Sequence, residues 1–135
     1  MLVLLDTDIC IHLINRRPGF ERVLRRISGR SVGEICISAI TVSELRFGVS
    51  KSAQSSANSA ALDEFLSRFE LLDYPVDAGA SYGKIRTDWE RAGTPIGNND
   101  LLIAAHALAI KANVATANVS EFHRVKGLKV LDWLK

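Results

Sequence analysis

The chain is poor in the features that would set its class at once. It holds two cysteines, three prolines and a single methionine in 135 residues. Cys10 and Cys36 lie in apolar segments, which reads as two lone buried thiols and argues against a disulfide. His12, His106 and His123 share no ligand spacing with each other or with the cysteines. That excludes a zinc site of the usual kind and leaves the histidines as structural or surface residues. No apolar run reaches the ~18–20 residues of a membrane helix. The N-terminus carries neither a basic region nor a cleavage site, so no signal peptide is expected and the cytoplasm is the expected compartment. There is no internal repeat and no linker composition. The length suits one domain, expected over residues 1–135. The net charge is only +2, so bulk charge does not demand a nucleic-acid partner.

Charge distribution says more than the total. Residues 16–30 hold Arg16, Arg17, Arg22, Arg25, Arg26 and Arg30 against Glu21 alone, a local net of +5, while the remaining residues sum to −3. This is either a solvated helix face or a surface for phosphates.

Hydrophobic spacing predicts strands alternating with helices. Strands are expected at 2–6, at "EICIS" (34–38), at 71–74, at "NVATA" (113–117) and at 128–133. Helices are expected at 7–15, 20–27, 41–50, 61–70 and 76–92. "KSAQSSANSA" (51–60) reads as a polar loop or frayed helix start. Gly93, Pro95 and Gly97 interrupt the chain before "NNDLLIAAHALAI" (98–110), a nearly all-apolar and therefore buried helix, and 118–122 reads as a short helical turn. Trp89 and Trp133 read as packing residues. Such alternation implies a parallel sheet covered on both faces, with ligands beyond the carboxyl ends of the strands.

Acidic and amide residues collect at those ends. "LVLLDTDICI" (2–11) runs four apolar residues into Asp6, with Asp8 two positions on. Glu44 follows the second strand, Asp100 opens the buried helix, and Asn118 and Glu121 follow a later strand. Each has a local alternative. Asp6 or Thr7 could cap the first helix, and Asp8 or Asp100 could complement a helix dipole. Thr41 with Glu44, and Asn118 with Glu121, fit capping boxes. Local alternatives do not explain why all these sites fall on one rim. Two carboxylates ~4 Å apart repel by about 4 kcal/mol at an effective dielectric near 20. If Asp6, Glu44 and Asp100 converge, their pKa values rise or a cation joins them. An all-oxygen donor set suits Mg2+ or Mn2+, which points to phosphodiester hydrolysis.

"LLDTDICI", "SAITVSELRFGV", "GTPIGNNDLLIAAHALA" and "VATANVSEFHRVKGLKVLDW", in that order over about residues 2–133, resemble the successive signatures of PIN-domain ribonucleases, and more closely those of VapC-type toxins of bacterial toxin–antitoxin pairs. The resemblance implies a three-layer α/β/α fold with a central parallel sheet and Mg2+- or Mn2+-dependent endonuclease action on RNA, often tRNA, that inhibits translation. Asp6, Glu44 and Asp100 match the first three acids of the family. Asn118 stands where many members carry aspartate, which puts a second metal in doubt and leaves Glu121, one helical turn on, to supply the charge. Thr7, Asp8 and Thr116 take supporting positions behind the acids, and the arginines of 16–30 are candidates for RNA phosphates. The resemblance also implies a homodimer and a cognate VapB antitoxin seated against the apolar faces of 9–14 and 40–49. The competing readings are a degenerate PIN domain that binds RNA or protein without cutting, and a haloacid-dehalogenase-type phosphatase. The latter expects threonine or valine where Cys10 stands. A receiver domain is excluded because 50–60 offers no phosphoacceptor aspartate.

Overall fold

The computed structural model describes residues 1–95 and 97–135. Among these it holds five short strands: β1 (Val3–Leu5), β2 (Ile35–Ser38), β3 (Glu70–Leu72), β4 (Asn113–Ala115) and β5 (Val130–Leu131). Seven helices connect or follow them: α1 (Thr7–Ile14), α2 (Phe20–Ser28), α3 (Ala39–Ser50), α4 (Ser55–Leu66), α5 (Ala78–Arg91), α6 (Asn98–Ile110) and α7 (Val119–Phe122). All neighbouring strands pair in parallel, in the order β3-β2-β1-β4-β5.

Strand periodicity makes three layers. Val3, Leu5, Ile35, Ile37 and Ala115 face a core completed by α1 to α4 through Ile9, Val23, Leu45 and Leu62. Their neighbours Leu4, Cys36 and Val114 face the opposite core, completed by α5, α6 and α7 through Ile85, Ile103 and Phe122. Leu4, Leu5, Ile37 and Ile103 are fully buried, each stabilising by ~1.5–3 kcal/mol. Both faces of β1 are dry, which is why its sequence is continuously apolar instead of alternating. The nearly all-apolar α6 is buried between the sheet and α5. Cys10 and Cys36 are free buried thiols, and Trp89 and Trp133 are packing residues, as expected. No helix among the described residues is long and apolar enough to cross a membrane.

The chain lays β1, β2 and β3 outward in one direction, then returns to place β4 on the other side of β1. The order therefore reverses between β1 and β4. The carboxyl ends of these two strands mark the switch point, the usual ligand position of an open parallel sheet.

Three local expectations are corrected. α3 starts two residues before Thr41, because Ser38 is its N-cap and accepts from the Ile40 N–H at 3.1 Å. Thr41 is buried inside the first turn, so Thr41 and Glu44 form no capping box. The fourth helix begins at Ser55 within the polar stretch and ends at Leu66, earlier than its amphipathic pattern suggested. Asn118 is the N-cap residue of α7, but its side chain makes no capping bond. It turns to Glu121 instead.

Candidate active site

Asp6 ends β1 because its carboxylate is the first capping group of α1. Its Oδ1 accepts from the Ile9 N–H at 3.1 Å. Its Oδ2 accepts from the Thr116 hydroxyl at 2.5 Å, linking the ends of β1 and β4. The Thr116 oxygen in turn accepts from the Asn118 N–H at 2.8 Å. Capping and site membership are thus one arrangement. The local reading of Asp6 is correct and does not compete with the functional one.

Glu44 reaches the same rim from α3. Its Oε1 accepts from the Thr7 hydroxyl at 2.5 Å, and the Thr41 hydroxyl lies 3.2 Å from that of Thr7. Asp100 stands half-buried in the first turn of α6. Glu121 comes from α7, its Oε2 accepting from the Asn118 amide. Asp8 is exposed in the first turn of α1.

These acids feel one another. The Asp100 carboxyl is pushed up to about 7, first by burial, then by the charges of Glu121, Asp6, Glu44 and Asp8. Burial pushes Asp6 up to about 6, against the lowering effect of its bonds from Thr116 and Ile9 and with a further rise from Asp8. Burial, with the Asp6 charge behind it, also holds the Cys10 thiol well above its ordinary range. Mutual repulsion of this kind is what a cation would relieve.

The acids share a rim without forming a closed cage. Among the described residues, no three His, Cys, Asp or Glu side chains stand together as a group that could hold a metal ion. Both oxygens of Asp6 and one each of Glu44 and Glu121 accept hydrogen bonds from local donors. The donor chemistry nonetheless fits a hard divalent cation, being oxygen-only and under unrelieved repulsion.

The arginines of 16–30 are not gathered beside the acids. Arg17 shares a cleft of about 350 Å3 with Glu44, Ile11, Ile14, Leu45 and Val49. That cleft joins the two apolar faces, 9–14 and 40–49, expected to form a groove. Arg16 and Arg25 line a different cleft with Phe20 and Phe69. Arg22 donates to the Leu134 carbonyl at 3.2 Å, and Arg26 is exposed on α2. Arg30 pairs with Glu34 at 3.8 Å and lies over Trp133. Glu34 precedes β2, so Arg30 sits at the amino-terminal edge of the sheet, opposite the acids.

Two features escaped sequence reasoning. Thr41 joins the hydroxyl pair behind Glu44, hidden by its resemblance to a cap. His106, fully buried on α6, has its Nδ1 2.8 Å from the Ser38 hydroxyl at the start of α3. Its Nε2 is buried without a partner, and burial lowers its pKa, so it is a neutral structural imidazole. A single histidine in an apolar helix gave no signal of a partner 68 residues away.

The PIN domain family matches residues 3–128. Ribonuclease VapC2 of Rickettsia felis is 42% identical over 136 residues, covering 100% of both chains. The tRNA(fMet)-specific endonuclease VapC of Salmonella typhimurium is 39% identical over 130 residues, covering 96% of each. In three dimensions the chain is similar to the crystal structure of VapBC2 from Rickettsia felis bound to a DNA fragment from their promoter, with a TM-score of 0.89, 41% identity, and 98% of this chain and 99% of that chain covered. A three-layer parallel sheet, acids meeting at its switch point, and full-length similarity to these ribonucleases agree, and the phosphatase reading falls: this chain belongs to the PIN-domain family, among the VapC ribonucleases.

Proposed function

We propose that this protein is a divalent-metal-dependent endoribonuclease toxin, that tRNA is among its substrates, and that a cognate VapB antitoxin restrains it. The observation that carries the reading is that Asp100 feels the charges of Asp6, Glu44 and Glu121, which reach the carboxyl-end rim of the sheet from separate parts of the chain. Relatives of the same length are named as ribonucleases, one of them tRNA(fMet)-specific, and a VapBC complex shares the fold.

In this reading Asp6, Glu44 and Asp100 hold Mg2+ or Mn2+, directly or through water, with Asn118 or Glu121 completing the shell. The ion supplies Lewis acidity and neutralises charge beside the scissile phosphate. The protein's own groups do the positioning. The hydroxyl of Thr116 and the N–H of Ile9 fix the plane of the Asp6 carboxylate. The Thr7 hydroxyl, with Thr41 beside it, positions the Glu44 carboxylate. Asn118 donates its amide to Glu121, which leaves its carbonyl oxygen as the face able to serve as a ligand. The cleft between α1, α3 and α4, apolar with Arg17 and Glu44 at its rim, is the seat assigned to the antitoxin. A basic side chain entering there would pair with the carboxylates and compete with the metal.

Cleavage of total bacterial RNA by purified, antitoxin-free protein tests the reading. The reaction is run with Mg2+ or Mn2+, with EDTA, and with Asp6→Asn in parallel. Discrete fragments that vanish with EDTA and in the variant are expected. A folded protein that cuts nothing with metal present points to the binding-only alternative, and Asp6→Asn cutting at the wild-type rate removes the assignment of Asp6.

A further inference from the structure

The face of α3 that carries Glu44 does not end there. Phe47, Gly48 and Lys51 follow it at i+3, i+4 and i+7, spacings that share one side of a helix. They lie ~4.5, ~6 and ~10.5 Å farther along its axis. Phe47 is 65% exposed, and the Lys51 ammonium stands 4.9 Å from its ring centroid. An isolated exposed phenylalanine would mean little, but this one borders a cleft of about 570 Å3 that has Glu44 in its wall. Thr7, Glu44, Phe47, Lys51 and Asn99 all line that cleft, and Asn99 adjoins Asp100. At Gly48 even a Cβ would meet nothing within 4 Å, so the cleft lies open at that point.

The geometry points to a single-stranded RNA track along this face of α3. Phe47 is the platform on which a base beside the cut site stacks, and Lys51 contacts a flanking phosphate. This inference rests on the ribonuclease reading and deepens it by naming residues that hold the strand. Its chemistry is that of sequence-tolerant single-strand binding, in which an aromatic face takes a base and a cation follows the backbone. The polar order along the cleft favours RNA over a protein segment. An acid at one end, an aromatic ring beyond it and a cation last match a cut phosphate, its base and the next phosphate, whereas Lys51 would repel the basic side chain of a peptide drawn to Glu44. The Lys51 ammonium now rests on the ring, and a base arriving at that ring displaces it toward the backbone.

The test is fluorescence anisotropy with a labelled oligoadenylate of about a dozen nucleotides, on the full chain carrying Asp6→Asn to prevent cutting. Phe47→Leu, added to that background, is expected to weaken binding by about 10-fold, and Phe47→Tyr to retain it, as loss and retention of a stacking face require. Lys51→Ala is expected to weaken binding and flatten the salt dependence by about 0.7 in log–log slope, the loss of one single-strand phosphate contact. Phe47 is exposed, so thermal melts of these variants should match the parent. Affinity within twofold of the parent in Phe47→Leu overturns the inference. So does a Phe47→Leu protein that loses self-association in sedimentation while binding RNA as before, because the face then belongs to a second copy of the chain. A wild type that neither binds nor cuts RNA removes the ribonuclease reading itself. A wild type that cuts with a KM unmoved by Phe47→Leu removes only the track.

Discussion

At the scale of single residues, the site is a set of carboxylates held against their own repulsion by threonine hydroxyls. Thr116 carries two duties at once, donating to Asp6 and accepting from Asn118. Thr116→Val keeps the shape and removes both bonds. It should cost about 1.5–3 kcal/mol, because the lost partner is a charged, buried group, and it should lower activity by freeing the Asp6 carboxylate to rotate. Urea melts beside single-turnover cleavage rates check this, and equal stability would mean that water replaces the hydroxyl fully. Asp100 works in the opposite sense. Its native pKa of about 7 lies above its ordinary value of 3.8, so the unfolded chain gives up its proton first as pH rises. The penalty to the native state is absent below about pH 4 and complete above about pH 7. Asp100→Asn should therefore stabilise the metal-free protein by about 1–2 kcal/mol at pH 8, a figure reduced because solvent screens this half-exposed group, and by little at pH 4.5. Thermal melts at the two values read the difference, and a variant less stable at pH 8 than the wild type would reverse the sign. These acids were legible in the sequence because a carboxylate directly after an apolar strand, or at the mouth of an apolar helix, breaks the local pattern. Thr41 and His106 were not legible, since threonine in a helix start and histidine in an apolar helix each satisfy a simpler local reading.

At the scale of elements, α3 decides how much of the site is preformed. The chain passes from β2 into α3 through Ser38 alone, with no loop between, so the direction of the helix is fixed at one residue. Ser38 is held from both sides, by the Ile40 N–H within α3 and by His106 from α6. That pair fastens the helix bearing Glu44 to the helix bearing Asp100. Ser38→Ala should cost about 1 kcal/mol as a lost cap. His106→Ala should cost about 2–4 kcal/mol from the cavity and from the hydroxyl left unpaired. If the two act as one tie, the double variant costs at least 0.5 kcal/mol less than the sum, and strict additivity in urea titrations would dissolve the link. The sequence placed this helix two residues late. Thr41–Glu44 and Ser38–Thr41 both resemble helix starts, and only burial of Thr41 against α1 distinguishes them. The spread of the arginine-rich segment was not legible either. Six cations close in sequence occupy a helix and its flanks, and Arg17 before α2 lines a cleft with Glu44 while Arg30 after it pairs with Glu34 at the amino-terminal edge of the sheet. The parallel sheet itself was legible from five apolar runs separated by helical ones, although β3 and β5 proved shorter than their patterns.

At the scale of the whole molecule, the fold spends stability to keep its acids together, and the cation that fits them should return it. Metal that binds only the native state stabilises by RT ln(1 + [M]/Kd), about 2.7 kcal/mol at one hundred times Kd. The wild type should thus melt higher with saturating Mn2+ than in EDTA, by several degrees for a chain of this size. On the proposed metal site, Asp100→Asn should gain far less, because the variant would lack one ligand and much of the repulsion that an ion would relieve. The two proteins then exchange rank: in EDTA at pH 8 the variant is the more stable, and with saturating Mn2+ the wild type overtakes it. Differential scanning fluorimetry of both proteins across a Mn2+ titration reads this without any RNA. A crossing point would tie the raised pKa values, the shared rim and the oxygen-only donor set to one cause. Parallel titration curves would mean that the ion binds elsewhere, and that the acids repel one another for some purpose other than holding it.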